Sequence, residues 1–132
     1  MLLKTVTPLS PLQERIVTVA IDAAVTVHRE LGPGFRERIY KRACCLELDS
    51  RGLKFETEKP IEVKYREWLI PGQRIDLIVE SVVLLEIKAV PRLRSLHRCQ
   101  VISYLKTTGL RVGLLLNFNA PLMKQGLQRI VL

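Results

Sequence analysis

Apolar residues recur every three or four positions from 12 to 31, through Ile16, Ala20, Ala23, Val27 and Leu31, which predicts one face of an amphipathic helix. Gly32-Pro33-Gly34 stops it, because proline disfavours helix for the residue before it and glycine permits a sharp turn. A second helix is expected over 36–51, with Gly52 as its C-cap. The period then changes. Segments 53–58 and 61–65 read as short strands interrupted by Lys59-Pro60, and Pro71-Gly72 reads as a stronger turn than Arg66-Glu67. Segment 73–79 alternates, and 82–88 is apolar almost throughout, as a strand buried on both faces would be. Glu80-Ser81 between them predicts a hairpin turn. Helical spacing returns over 93–108 up to Gly109, 112–118 is another buried strand, and the tail from Pro121 holds a short turn or helix before a possible edge strand over 127–132. The order is that of an α/β sandwich around a mixed sheet.

A chain of 132 residues fits one domain with its own core, assigned to 12–132 behind a loose lead-in over 1–11 that carries Pro8 and Pro11. The hydrophobic fraction of 48% excludes a disordered chain, and no stretch approaches the roughly 18 apolar residues of a membrane span. Lys and Arg number 21 against 13 Asp and Glu, a net charge of +8, which favours a polyanionic partner, nucleic acid ahead of an anionic membrane. Cys44, Cys45 and Cys99 form neither a disulfide framework nor a zinc motif and read as reduced thiols in a cytoplasmic protein. No secretory signal is read in the opening residues.

The candidate chemistry lies at Asp76 and the triplet Glu86-Ile87-Lys88. Residues two apart on a strand share a face, so Glu86 and Lys88 project together while Val83, Leu85 and Ile87 fill the other side. A hairpin centred between Glu80 and Ser81 brings Asp76 close to Glu86 with a mismatch of about one residue, which a bulge can absorb. Two adjacent carboxylates suit magnesium or manganese, and repel each other without a cation between them. Lys88 on the same face can orient or deprotonate a water, or stabilise charge on a phosphate. The spacing alone leaves a metal site and a surface salt-bridge cluster as equal readings.

Further polar residues extend the pattern. His97, Gln100 and Tyr104 lie on one helical face, with Gln100 a candidate partner of phosphate, base or lysine. Glu37 and Tyr40 follow Gly34 as Gly-x-x-Glu-x-x-Tyr, and Glu37 is also a favourable helix-dipole partner. Arg36, Arg38, Lys41 and Arg42 form one candidate phosphate-facing patch, and Arg92, Arg94 and Arg98 another. Arg36, Tyr40, His97 and Tyr104 are the candidate substrate contacts. His28 reads as structural, and Trp68 and Phe55 as packing residues more than base-stacking ones.

The runs LGPGFRERIY, KYREWLIPGQRIDLIVE, VVLLEIKAV, LHRCQVISYLKTTGLRVGLLLNF and LQRIVL, in that order, resemble the GxxExxY proteins, a family placed in the PD-(D/E)xK nuclease superfamily. The resemblance runs from about residue 12 to the C-terminus. It implies a restriction-endonuclease-like core, a mixed central β-sheet flanked by α-helices. It also implies roles: Glu37 as the acid from the first core helix, Asp76 and Glu86 as metal ligands with Glu37 a third acid, Lys88 as the catalytic lysine, and Gln100 and Tyr104 as the helix motif that follows. Ile75 stands where the superfamily's proline would be, Arg92 where a neutral or acidic residue is expected, and the cysteines where aliphatic residues or alanine are expected. The implied activity is Mg2+- or Mn2+-dependent hydrolysis of phosphodiesters in DNA, with RNA second. A homodimer is a further expectation, because a small nuclease that cuts both strands often needs two sites. The alternatives are an inactive nucleic-acid-binding module and a basic protein-interaction module.

Overall fold

The structure is a computed structural model in which residues 7–132 are described. Of the expected lead-in, residues 1–6 lie outside the described residues, and 7–10 run irregularly into α1 (Pro11–Leu31). Ser10 caps α1: its hydroxyl accepts from Gln13 N at 3.1 Å, and Gln13 Oε1 accepts from Ser10 N at 2.8 Å. Pro11 opens the helix rather than limiting it, since the first helical position needs no N–H donor.

After α2 (Glu37–Ser50) come β1 (Phe55–Tyr65), β2 (Trp68–Val79) and β3 (Val83–Lys88). Then follow α3 (Ser95–Thr108), β4 (Val112–Asn117), a single turn α4 (Met123–Gly126) and β5 (Leu127–Val131). One mixed sheet has the order β1-β2-β3-β4-β5, antiparallel throughout except for β3 and β4. A parallel pair needs a crossover, and α3 supplies it. Helices α1 and α2 pack on the face formed by Leu77, Val79, Val83, Leu85, Ile87, Leu114 and Leu116. On the other face α3 packs, through Val101, Tyr104 and Leu105, against Ile75, Ile78, Leu84 and Leu115. This is the α/β architecture of a restriction-endonuclease-like fold, a mixed sheet between helices. Gly113 permits the close approach of α3, because a Cβ there would lie 2.8 Å from Val101 Cγ1.

The expected strands 53–58 and 61–65 are one strand. Pro60 is tolerated because β1 is an edge strand. The expected turn at Pro71-Gly72 lies inside β2, and the chain reverses at Arg66-Glu67 instead. Ile61 pairs with Gln73 and Val63 with Ile70, so β2 carries one extra residue at Pro71-Gly72. Gly72, at φ 124°, adopts the conformation this bulge demands. Beyond Leu77 the β1–β2 ribbon is unpaired with β3, and its tip exposes Tyr65, Trp68, Leu69 and Ile70. Trp68, 56% exposed, therefore packs into no core.

Candidate active site

The hairpin joining β2 to β3 decides where Asp76 falls. Val79 pairs with Val83, so the loop is 80–82 and not Glu80-Ser81 alone. Glu80 and Ser81 both sit at positive φ, 52° and 56°, and Glu80 is held by Lys54: Glu80 N donates to Lys54 O at 2.9 Å, and Lys54 N donates to Glu80 Oε2 at 3.0 Å. The register Leu77↔Leu85, carried one step further, sets Asp76 opposite Glu86 with no mismatch. The third residue of the loop removes the offset that a two-residue turn would leave.

Both carboxylates are buried, Asp76 at 7% exposure and Glu86 at 4%. Asp76 Oδ2 accepts from Ile87 N at 2.9 Å. Glu86 Oε1 lies 3.8 Å from Lys88 Nζ, while Glu86 Oε2 is buried without a hydrogen-bond partner. Burial, and then the neighbouring Asp76 carboxylate, push the Glu86 carboxyl well above the usual carboxylate range, against the pull of Lys88. An acidic oxygen buried without a partner beside a second carboxylate is a donor set for a hard divalent cation. The residues that could hold one are Asp76 and Glu86.

Glu37 reaches this pair only through a lysine. Lys41 Nζ lies 2.8 Å from Asp76 Oδ1, 3.4 Å from Glu37 Oε2 and 3.4 Å from Glu58 Oε1. Burial works against the charge of Lys41, but the hydrogen bond and charge of Asp76, with Glu37 and Glu58 behind them, outweigh it and hold the ammonium above its ordinary range. Among the described residues, no group of three or more His, Cys, Asp or Glu side chains is gathered to hold a metal, so the structure does not bring Glu37 onto the Asp76–Glu86 pair as a third ligand. Nor does Lys41 belong to an outward phosphate-facing patch with Arg36, Arg38 and Arg42: it turns inward to the acids.

Tyr40, expected at the substrate, is fully buried. Its hydroxyl donates to Gly32 O at 2.6 Å and accepts from Phe35 N at 3.1 Å, and its ring stacks on Phe118 at 4.7 Å. It therefore pins the Gly32-Pro33-Gly34 turn against α2, whose first residue is Glu37. Tyr104 is buried as well and acts through Gln100, whose Nε2 donates to the Tyr104 hydroxyl at 2.9 Å. Burial, and then the charge of Glu86, raise the Tyr104 phenol above its usual range. Arg36 is exposed at the N-cap of α2.

His97 borders two clefts on α3. One, of about 420 Å3, is lined by Gln73, Leu96, His97, Cys99, Gln100 and Ser103, and the other, of about 570 Å3, by Val90, Pro91, Arg92, Arg94 and His97. His97 Nδ1 accepts from Arg94 N at 3.0 Å, which leaves the far side of its ring for another partner. Gln73 Oε1, in the first cleft, is buried without a partner. His28 is structural: its Nε2 lies 2.8 Å from Ala120 O.

Sequence reasoning missed Glu58 and Asn117. Thr57↔Leu77 and Lys59↔Ile75 flank Glu58 and set it opposite Asp76, and its φ of 47° is a left-handed conformation that few side-chain-bearing residues adopt. Asn117, beside Lys88 on β4, accepts from Val90 N at 3.1 Å and donates to Val90 O at 3.0 Å, fixing the segment that follows Lys88. The Glu37–Lys41 contact had a signal, since acid and lysine four apart on a helix are neighbours.

Compared with known protein families, residues 14–130 match the model described as the PD-(D/E)XK nuclease superfamily. No curated protein and no solved structure gives a significant match.

Proposed function

The chain belongs to the PD-(D/E)XK nuclease superfamily, and from that premise we propose that it is a Mg2+-dependent nuclease of the GxxExxY group that hydrolyses phosphodiester bonds of DNA. The observation that carries this reading is the buried Asp76 carboxylate tied to β3 through the Ile87 amide, next to Glu86, with Glu86 Oε2 lacking a partner and Lys88 two residues on along the same face. Asp76 and Glu86 would hold Mg2+ or Mn2+. Bound there, the ion supplies Lewis acidity, polarising the phosphate and lowering the pKa of a coordinated water.

The chain's own residues do the rest. Lys88, at the open end of β3, donates to the attacking water or to a phosphate oxygen on which charge develops. The Ile87 amide and the Asn117 bridge to Val90 fix the strand and the segment on either side of that lysine. Gln100, oriented by Tyr104, offers its remaining amide groups to phosphate, base or Lys88. Arg92, Arg94 and Arg98 form a basic approach on the α3 side, in keeping with a net charge of +8. Two copies would supply the second cut of a duplex. The three free thiols fit the reducing conditions of the cytoplasm.

The test is incubation of the purified protein with plasmid, single-stranded DNA and RNA, in Mg2+, Mn2+ or chelator. Cleavage of DNA that chelator abolishes is expected. Salt-sensitive binding of all three without cleavage would assign a binding module instead. Salt-insensitive behaviour with no nucleic-acid binding would assign a protein-interaction module.

A further inference from the structure

Both oxygens of Asp76 are already engaged by the chain itself. Ile87 N holds Oδ2 at 2.9 Å, and Lys41 Nζ holds Oδ1 at 2.8 Å. An ammonium has three donors, and Lys41 directs them toward three carboxylates on three elements: Glu37 on α2, Glu58 on β1 and Asp76 on β2. Its side chain is only 25% exposed, so this is no loose surface pair. We propose that Lys41 is a built-in counter-cation, which a divalent ion must displace from Asp76 Oδ1 and which thereby sets the metal concentration at which the site loads.

The proposal rests on the reading of Asp76 and Glu86 as metal ligands. A second cation cannot share Asp76 with the ammonium at these distances without strong repulsion, so the two compete. Once displaced, the lysine keeps Glu37 and Glu58 as partners, and its flexible four-carbon stem allows the shift. Glu37 then acts on the site by holding Lys41 aside. The unusual backbone of Glu58 has the same purpose, since it sets a carboxylate opposite Asp76 within reach of that lysine.

The experiment is calorimetric titration of the full chain with Mn2+, on wild type, Lys41→Gln, Lys41→Arg and Glu86→Gln, with Tm read with and without the ion. Lys41→Gln should bind Mn2+ on the order of tenfold more tightly than wild type. It should also show a lower Tm without metal and a larger rise with it. Lys41→Arg, which keeps the charge, should gain no affinity. A purely structural lysine would lower Tm and leave the affinity unmoved. If Lys41→Gln does not fold, Lys41→Met, matched in length, takes its place. Equal or weaker binding by the neutral variant, with wild-type binding abolished in Glu86→Gln, overturns the role of Lys41 and leaves the metal-dependent reading standing. Absence of binding in both wild type and the neutral variant overturns that reading, and the counter-cation with it.

Discussion

Asp76 is tied to β3 by its own side chain: Oδ2 accepts from Ile87 N at 2.9 Å, a hydrogen bond between buried groups on adjacent strands. The carboxylate thereby extends the pairing of β2 and β3 past Leu77↔Leu85. Asp76→Asn keeps an oxygen for that amide, whereas Asp76→Ala leaves the amide unsatisfied. Urea unfolding should therefore find Asp76→Ala less stable than Asp76→Asn by about 1–3 kcal/mol. Equal stabilities would show that the bond contributes nothing.

Glu86 gives a pH signature. Its ordinary value of 4.5 applies in the unfolded chain, and burial beside Asp76 raises the folded value to about 9. Between those limits the folded state holds a proton that the unfolded state has lost, so stability falls as pH rises. The slope from this group is at most about 1.4 kcal/mol per pH unit. Glu86→Gln cannot ionise. Unfolding curves of the metal-free proteins between pH 5.5 and 8.5 should show the variant gaining on wild type as pH increases, and a constant difference would refute the shift.

Tyr40→Phe removes the hydroxyl that joins Gly32 O to Phe35 N and keeps the ring on Phe118. The expected cost is about 1–3 kcal/mol in thermal or urea unfolding. Because the tyrosine is buried, nucleic-acid affinity should change little. A large loss of affinity at wild-type stability would mean that Tyr40 contacts substrate after all.

The long elements were legible because their hydrophobic period is unambiguous. Ile16 to Val27 line one stripe of α1, and Val83, Leu85 and Ile87 alternate as expected in β3. Pro71-Gly72 misled because a bulge and a turn ask for the same residues: both need a bend and a glycine at positive φ. In the site, Asp76, Glu86 and Lys88 could be found from local spacing and strand periodicity. Glu58 could not, since its place depends on the register of β1 against β2 and on a backbone angle that no sequence pattern announces. Lys41 was visible as a basic residue, but whether it faced solvent or the acids was decided by how α2 docks on the sheet. Tyr40 had the right motif and the wrong role, because side-chain direction at the Gly32 turn is a tertiary property.

Arg92, Arg94 and Arg98 test the basic approach. Replacing all three by alanine should weaken binding to DNA fragments without regard to sequence. The slope of log K against log[salt] should become shallower by roughly 0.9 for each duplex phosphate that the protein no longer neutralises. Fluorescence anisotropy over a salt series reads this directly. An unchanged slope would put the nucleic acid elsewhere on the surface.

The most direct test of the central claim is the single-turnover rate of DNA cleavage in Mg2+ or Mn2+ by wild type, Asp76→Asn and Lys88→Ala, each purified identically. The account predicts chelator-sensitive cleavage by wild type and a loss of roughly 10²–10⁴-fold in each variant, with DNA binding retained. Cleavage at the wild-type rate in both variants would contradict it.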